Sequence, residues 1–375
     1  MTILKKSDLY ATGLAIFAMF FGAGNIIFPL ALGHLALDQT PYAMAGLLIT
    51  AVFLPFAGLL TMFLYNGDIR AFFGRLGRLP GLALAFLIIA LLGPFGSTPR
   101  CIALAYSTFK LSFSETSLPL FSAISCLTVF LLAYKKSRLL DILGYLLTPL
   151  LLGLLALIVV LGMIYAPSSA PIASSSGSEM FWHGLTEGYN TMDLLAAIFF
   201  APIIIAFTQQ KTAMLANSQD RLKFILKASG IGAFLLSIVY LGFSFIAFSH
   251  ASEMPGVPAD QLLAALALKI LGPQGGVIVC LTVVLACLTT AIALITAFAE
   301  FTKKDILKDR LGYFPVLIGS LALTFCISIF EFQGISQFLS PVLEICYPVL
   351  IALTAFNLYG NLYRLQLLTE EAQNA

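Results

Sequence analysis

Charge is scarce in this chain: Asp, Glu, Lys and Arg make up 10% of its 375 residues, where a soluble domain carries about a quarter. The formal net charge is only +2, which leaves no basic surface for nucleic acid. Histidine is scarcer still. His34, His183 and His250 are the only three, each near the expected outer end of an apolar segment, and they form no ligand cluster. The six cysteines (Cys101, Cys126, Cys280, Cys287, Cys326 and Cys346) stand in apolar runs without CxxC spacing. They read as small core residues rather than redox or metal groups. No nucleophile with a base partner and no His/Asp constellation occurs in the apolar segments, which argues against an enzyme. No cleavable leader is expected either. Lys5 and Lys6 precede an apolar stretch that runs to Leu32 without a small-residue cleavage site, so it is expected to stay as a first span.

What fills the sequence is apolar residues, 60% of all positions, and such a chain belongs in lipid. Crossing a bilayer core of about 30 Å takes roughly 17 to 25 residues. Ten segments qualify, approximately 8–32, 42–65, 80–110, 118–134, 139–165, 191–209, 221–249, 274–301, 312–330 and 335–359. Cytoplasmic loops should hold the Lys and Arg. With the N-terminus inside, the inner side receives Lys5, Lys6, Arg70, Arg75, Arg78, Lys135, Lys136, Arg138, Lys211, Arg221, Lys223, Lys227, Lys303, Lys304, Lys308, Arg310 and Arg364. Only Lys110 and Lys269 fall outside, with Arg100 within a span. The expectation is an even number of spans in an inner membrane, both termini cytoplasmic. The longest outer loop, Ala166 to Asn190, divides the spans five and five, and Pro258 to Leu271 reads as a short interfacial helix, with Leu262, Leu263, Leu266 and Ile270 at helical spacing. The whole chain is expected to be one transmembrane domain, with repeats over about 8–165 and 191–359.

Each half opens on a span whose middle is poor helix. In the first, Gly22, Gly24, Asn25 and Pro29 interrupt an apolar run; in the sixth, Pro202 follows Phe199, Phe200 and Ala201. At 1.5 Å per residue these lie about 21 Å and about 18 Å into their spans, near the midplane. Interrupted segments at matching places in two halves of opposite topology point to a transporter built on inverted repeats. Backbone freed at such a break is tolerated only where protein, water, ion or substrate satisfies it. Half-helix N-termini attract a carboxylate and unwound carbonyls a cation, so a zwitterion can be held by dipoles with no charged side chain. The alternative is that Gly22 and Gly24 form a helix-packing surface.

In span 8, Ala286, Thr289 and Thr290 share one helical face. They offer two hydroxyls and a carbonyl to a hard cation, or the hydroxyls simply return to the carbonyl one turn back. Two ionisable residues sit within spans. Arg100 is expected to tie to an outer-side carboxylate or carbonyl, and Glu344, deeper, to face a watery cavity or stay protonated.

Four stretches carry a resemblance: Phe21 to Pro29; Gly93-Pro94 with Thr98-Pro99-Arg100; Glu187 to Asp193; and Cys287 to Ala291. Together they resemble the bacterial branched-chain amino acid:cation symporter family, within the superfamily that shares a five-plus-five inverted repeat. The resemblance implies an all-α integral membrane fold of ten transmembrane helices with helices 1 and 6 broken. It implies sodium-coupled import of Leu, Ile and Val by alternating access, with no cofactor beyond the coupling ion. The sodium ligands would be the carbonyls of Ala18, Phe21 and Ala286 and the hydroxyls of Thr289 and Thr290. The substrate would lie between Gly22, Ala23, Gly24 and Asn25 and the Phe199, Phe200 and Ala201 segment. Members of that family continue for two further spans, and often have glycine where this chain has Pro202. Proton coupling, or methionine or another apolar amino acid as substrate, are the alternatives within transport. An ion channel is the rival class, disfavoured by the lack of a polar span face.

Overall fold

Glycine, proline and short polar side chains decide where this apolar chain can continue as helix. A computed structural model describes residues 6–111, 113, 115–134, 148–167, 175–212 and 218–374, and all regular secondary structure among them is helical. Helix α1 (Lys6–Phe20) stops where expected. Phe21 and Gly22 are not helical, Gly22 is extended at φ −125°, ψ −166°, and α2 (Ala23–Ala36) restarts immediately and runs through Pro29. Gly22 gives the helix little reason to persist, and its N–H donates to Asn25 Oδ1 at 2.9 Å, a local bond that competes with the helical ladder.

The next span is α3 (Thr40–Leu48) joined through a π-helical turn at Ile49–Phe53 to α4 (Leu54–Leu64), where Pro55 can contribute no backbone N–H. A short α5 (Ile69–Phe73) is capped by Asp68, whose side chain accepts from the Ala71 N–H at 3.0 Å. The segment expected as one continuous helix over 80–110 is two, α6 (Arg78–Leu92) and α7 (Ser97–Lys110), separated at Gly93-Pro94-Phe95-Gly96. Helices α8 (Leu118–Tyr134) and α9 (Thr148–Ile164) complete the first half. The expected inner loop with Lys135, Lys136 and Arg138, and the start of the span over 139–165, lie outside the described residues.

The second half departs from expectation at its opening. The outer loop predicted up to Asn190 contains α10 (Gly177–Asn190), and α11 (Asp193–Thr212) follows after a two-residue break at Thr191 and Met192. Met192 stands at φ +63°, a left-handed conformation uncommon for a side chain of its size. The break expected at Pro202 is absent: α11 runs straight through it. A proline inside a membrane helix orphans one carbonyl, which neighbouring groups can absorb. Polar side chains at the junction compete directly for backbone groups, as when Thr191 Oγ1 donates to the Gly188 carbonyl at 2.8 Å.

Helix α12 (Ser218–Ser249) is followed by α13 (Leu262–Phe301). The latter bends at Gly272, whose φ of +72° suits only glycine, just before Pro273. Its leading segment is the expected short helix, with Leu262, Leu263 and Leu266 buried. Helices α14 (Tyr313–Ser328) and α15 (Glu331–Asn374) close the chain. Among the described residues six helical stretches of 30 to 48 residues, some of them running across the breaks above, are long and apolar enough to cross a membrane, and four shorter apolar helices accompany them.

The broken helices are held by pairing across the molecule. Helix α3 packs on α10, α2 on α12 and α7 on α13. At the first pair the backbones nearly touch: a Cβ on Gly184 would stand 1.9 Å from the Ala43 carbonyl oxygen. Small residues allow such approach where dispersion rather than water drives helix association.

Candidate functional site

Three helix starts meet at one cavity. The leading ends of α2, α7 and α11 supply Gly22 (just before α2), Ala23, Gly24 and Asn25; Ser97, Arg100 and Cys101; and Asp193, Ala196 and, two turns in, Phe200. Thr191, Met192, Thr290 and Leu294 complete most of the wall around about 410 Å³ of empty space, part of it open to solvent. First-turn N–H groups have no partner within their own helix and favour an anion. Of the residues expected to bind substrate, Gly22, Ala23, Gly24, Asn25 and Phe200 are brought together here. Phe199 and Ala201 are not. The Phe199 ring packs on Phe73 and Phe301, with centroids 6.4 and 5.5 Å away, and Ala201 is buried off the cavity. The reason is the intact helix at Pro202: successive residues fan out by about 100°, so only one of three neighbours can look inward.

A buried polar group that composition did not suggest ties the two breaks together. Asn25 Nδ2 donates to both carboxyl oxygens of Asp193, at 2.9 and 2.8 Å, and to the Tyr240 hydroxyl. Tyr240 in turn donates to Asp193 Oδ2 at 2.8 Å. All three side chains are at most 2% exposed. Asn25 was a candidate from its place in the break; Asp193 and Tyr240 were not. The available signal for Asp193 was a lone acid at the head of an apolar run, following Asn190, Thr191 and Met192. For Tyr240, one tyrosine in a long apolar helix, no signal existed.

The expected ion ligands divide by helix. Thr289 and Thr290 both donate to the Ala286 carbonyl, at 2.7 and 3.0 Å, which is the local bonding the sequence left open. Three oxygens are thereby gathered within one turn of α13. This turn lies against the first break, since a methyl placed on Gly22 would stand 3.2 Å from Thr290 Cγ2. Ala18 and Phe21 are at the end of α1, where the Phe21 N–H still closes a bond to Phe17 at 2.9 Å.

The two intramembrane charges separate. Arg100 is 2% exposed, and its Nη1 donates to the Asn190 carbonyl at 3.0 Å, the carbonyl tie that was expected. Glu344 faces outward on α15 and does not line the cavity, because the helix turns it away from the buried stripe of Leu339, Leu343, Cys346 and Leu350.

Against known families, residues 5–372 match the model for the branched-chain amino acid transport protein family. The chain belongs to this family. The transporter is 34% identical to the branched-chain amino acid transport system 2 carrier protein of Pseudomonas aeruginosa, an alignment covering 97% of this chain and 83% of that one. It is 30% identical to the branched-chain amino acid permease BrnQ of Bacillus subtilis over 93% of this chain and 80% of that one. Among solved structures, the inward-facing conformation of Mhp1 aligns with TM-score 0.62 at 17% identity, covering 92% of this transporter and 75% of Mhp1. A manganese transporter of Eremococcus coleocola aligns with TM-score 0.56 at 14% identity, over 93% and 79%. These structural likenesses extend to the fold, which is that of multi-pass membrane transporters, and not to what those proteins carry. The chain is a branched-chain amino acid transporter and not an enzyme.

Proposed function

We propose that this transporter is a sodium-coupled importer of Leu, Ile and Val that works by alternating access in the bacterial inner membrane. Its architecture would be ten spans in two inverted five-helix repeats, α1 through α9 and α10 through α15. Both breaks, Phe21–Gly22 and Thr191–Met192, open on the same cavity. In this reading the zwitterion sits there, its side chain against Phe200 and Leu294, and the breaks are where the half-helices pivot. Breaks are suited to pivoting because few helical hydrogen bonds must be surrendered to change their angle.

The observation that carries the sodium assignment is the position of Thr290 against Gly22. An ion bound by Ala286, Thr289 and Thr290 on one side and by Ala18 and Phe21 on the other would join α13 to the first break. Occupancy would then stabilise one arrangement of that break, and the linkage is reciprocal: substrate and ion raise each other's affinity by one factor. Thr290→Ala removes an oxygen, so half-maximal sodium concentration for leucine uptake in proteoliposomes should rise about tenfold or more, the loss of one hydrogen-bond-sized interaction. Uptake should recover at high sodium, and Thr290→Ser should stay near wild type. Unaltered sodium dependence in Thr290→Ala, or uptake driven by a proton gradient alone, would exclude this ion site.

A further inference from the structure

Arg100 is the one cavity-lining cation, and half of its recognition capacity is unused. Its Nη1 is committed to Asn190. The guanidinium carbon lies 4.8 Å from the Phe28 ring centroid and 5.0 Å from that of Phe332, which fixes the plane of the group. Nη2, however, is buried and has no hydrogen-bond partner. Among the described residues no carboxylate forms an ion pair with it. Glu187, in the last turn of α10, is engaged instead by Asn190 Nδ2 at 3.0 Å. A buried guanidinium donor left unsatisfied is strongly unfavourable, and native proteins leave few such groups without a reason.

The surroundings define the missing partner. The cavity beside Arg100 also receives the N-terminal ends of α2 and α7, whose helix dipoles add positive potential. The other ionisable group on the wall, Asp193, is already engaged by Asn25 and Tyr240. A planar guanidinium with one open edge favours a carboxylate over any other small anionic group of an amino acid. We propose that Arg100 Nη2 is the anchor for the α-carboxylate of the transported amino acid. The inference rests on reading the cavity as the substrate site, and replaces recognition by helix dipoles alone with recognition by dipoles and one fixed cation.

Leucine and leucinamide separate the anchor from its alternatives, because the amide keeps the ammonium and the side chain and lacks the carboxylate. In wild-type proteoliposomes unlabelled leucine should compete with labelled leucine far better than leucinamide does. In Arg100→Gln, leucine should weaken on the order of 10- to 150-fold, the range for one charge-assisted hydrogen bond, while leucinamide changes little. Arg100→Lys, which keeps the charge and loses the fork, should fall between. A structural role predicts that both ligands weaken together and the leucine-to-leucinamide ratio stays at its wild-type value, which overturns the proposal. Should both variants fail to fold, phenylglyoxal modification of the wild-type carrier, read at Arg100 by peptide mass spectrometry, gives the same decision. Leucine must slow that modification and leucinamide must not; equal protection, or none by leucine, overturns the anchor. Wild-type vesicles that take up no branched-chain amino acid would instead overturn the reading of the cavity itself.

Discussion

Asn25 meets the chain in two places at once. Its Oδ1 accepts from the Gly22 N–H across the first break, and its Nδ2 reaches Asp193 at the second. One amide therefore satisfies the backbone that lipid cannot and fixes the spacing between segments 168 positions apart. Asp193 is held by neutral donors, so each donor matters: hydrogen bonds to charged groups contribute about 1.5 to 3 kcal/mol. Tyr240→Phe removes one of them without opening a cavity. Its expected effect is a clear drop in the melting midpoint of the purified carrier, with leucine affinity shifted less than stability. An unchanged midpoint would mean that the Tyr240 hydroxyl does not support Asp193.

At the scale of elements, the C-terminal ends of α9 and α12 and the leading segment of α13 are tied by one small cluster. His250, at the end of α12, faces the Gly162 carbonyl of α9 at 3.0 Å through Nε2 and Glu253 at 2.8 Å through Nδ1. Lys269 of α13 pairs with the same Glu253 at 2.5 Å. Lys269 first, and then His250, hold the Glu253 carboxyl below its ordinary value of 4.5. A carboxyl lowered in the folded state stabilises fully above its unfolded value, and that contribution disappears as pH falls through the folded one. Thermal stability should therefore decline as pH is lowered from about 5 to about 3, and Glu253→Gln should remove the part of the slope due to this group. The carboxyl is solvated, so the difference should stay within about 1 kcal/mol. A Glu253→Gln profile that overlays wild type would show the clamp to be energetically silent.

For the whole molecule, the charge asymmetry of the loops makes a topological prediction that every other assignment depends on. Single cysteines at Ser175 and Ser252 should label from outside intact cells, while one at Lys304 should label only after permeabilisation; reversal at any well-expressed site would overturn the orientation. Much of this architecture was legible in one dimension. Hydropathy, which marks the chain as a membrane protein, depends on each residue's transfer energy into lipid, a property that needs no neighbours. The break at Gly22 was legible for a similar reason, since two glycines and an asparagine weaken a helix wherever it is placed. The second break was not, because Pro202 weakens a helix locally but its partners absorb the defect, while the break at Thr191 and Met192 is flanked by bonds that form only on assembly, from Arg100 to the Asn190 carbonyl and from Asn25 to Asp193. Nor could one dimension reveal Asp193 beside Tyr240 or the open edge of Arg100. The sequence by itself determined the membrane class, the family and the first half of the cavity, all consequences of residue type and short-range order. The tertiary structure alone decided which helix starts converge and which charges face the space between them, because those depend on packing between segments hundreds of residues apart.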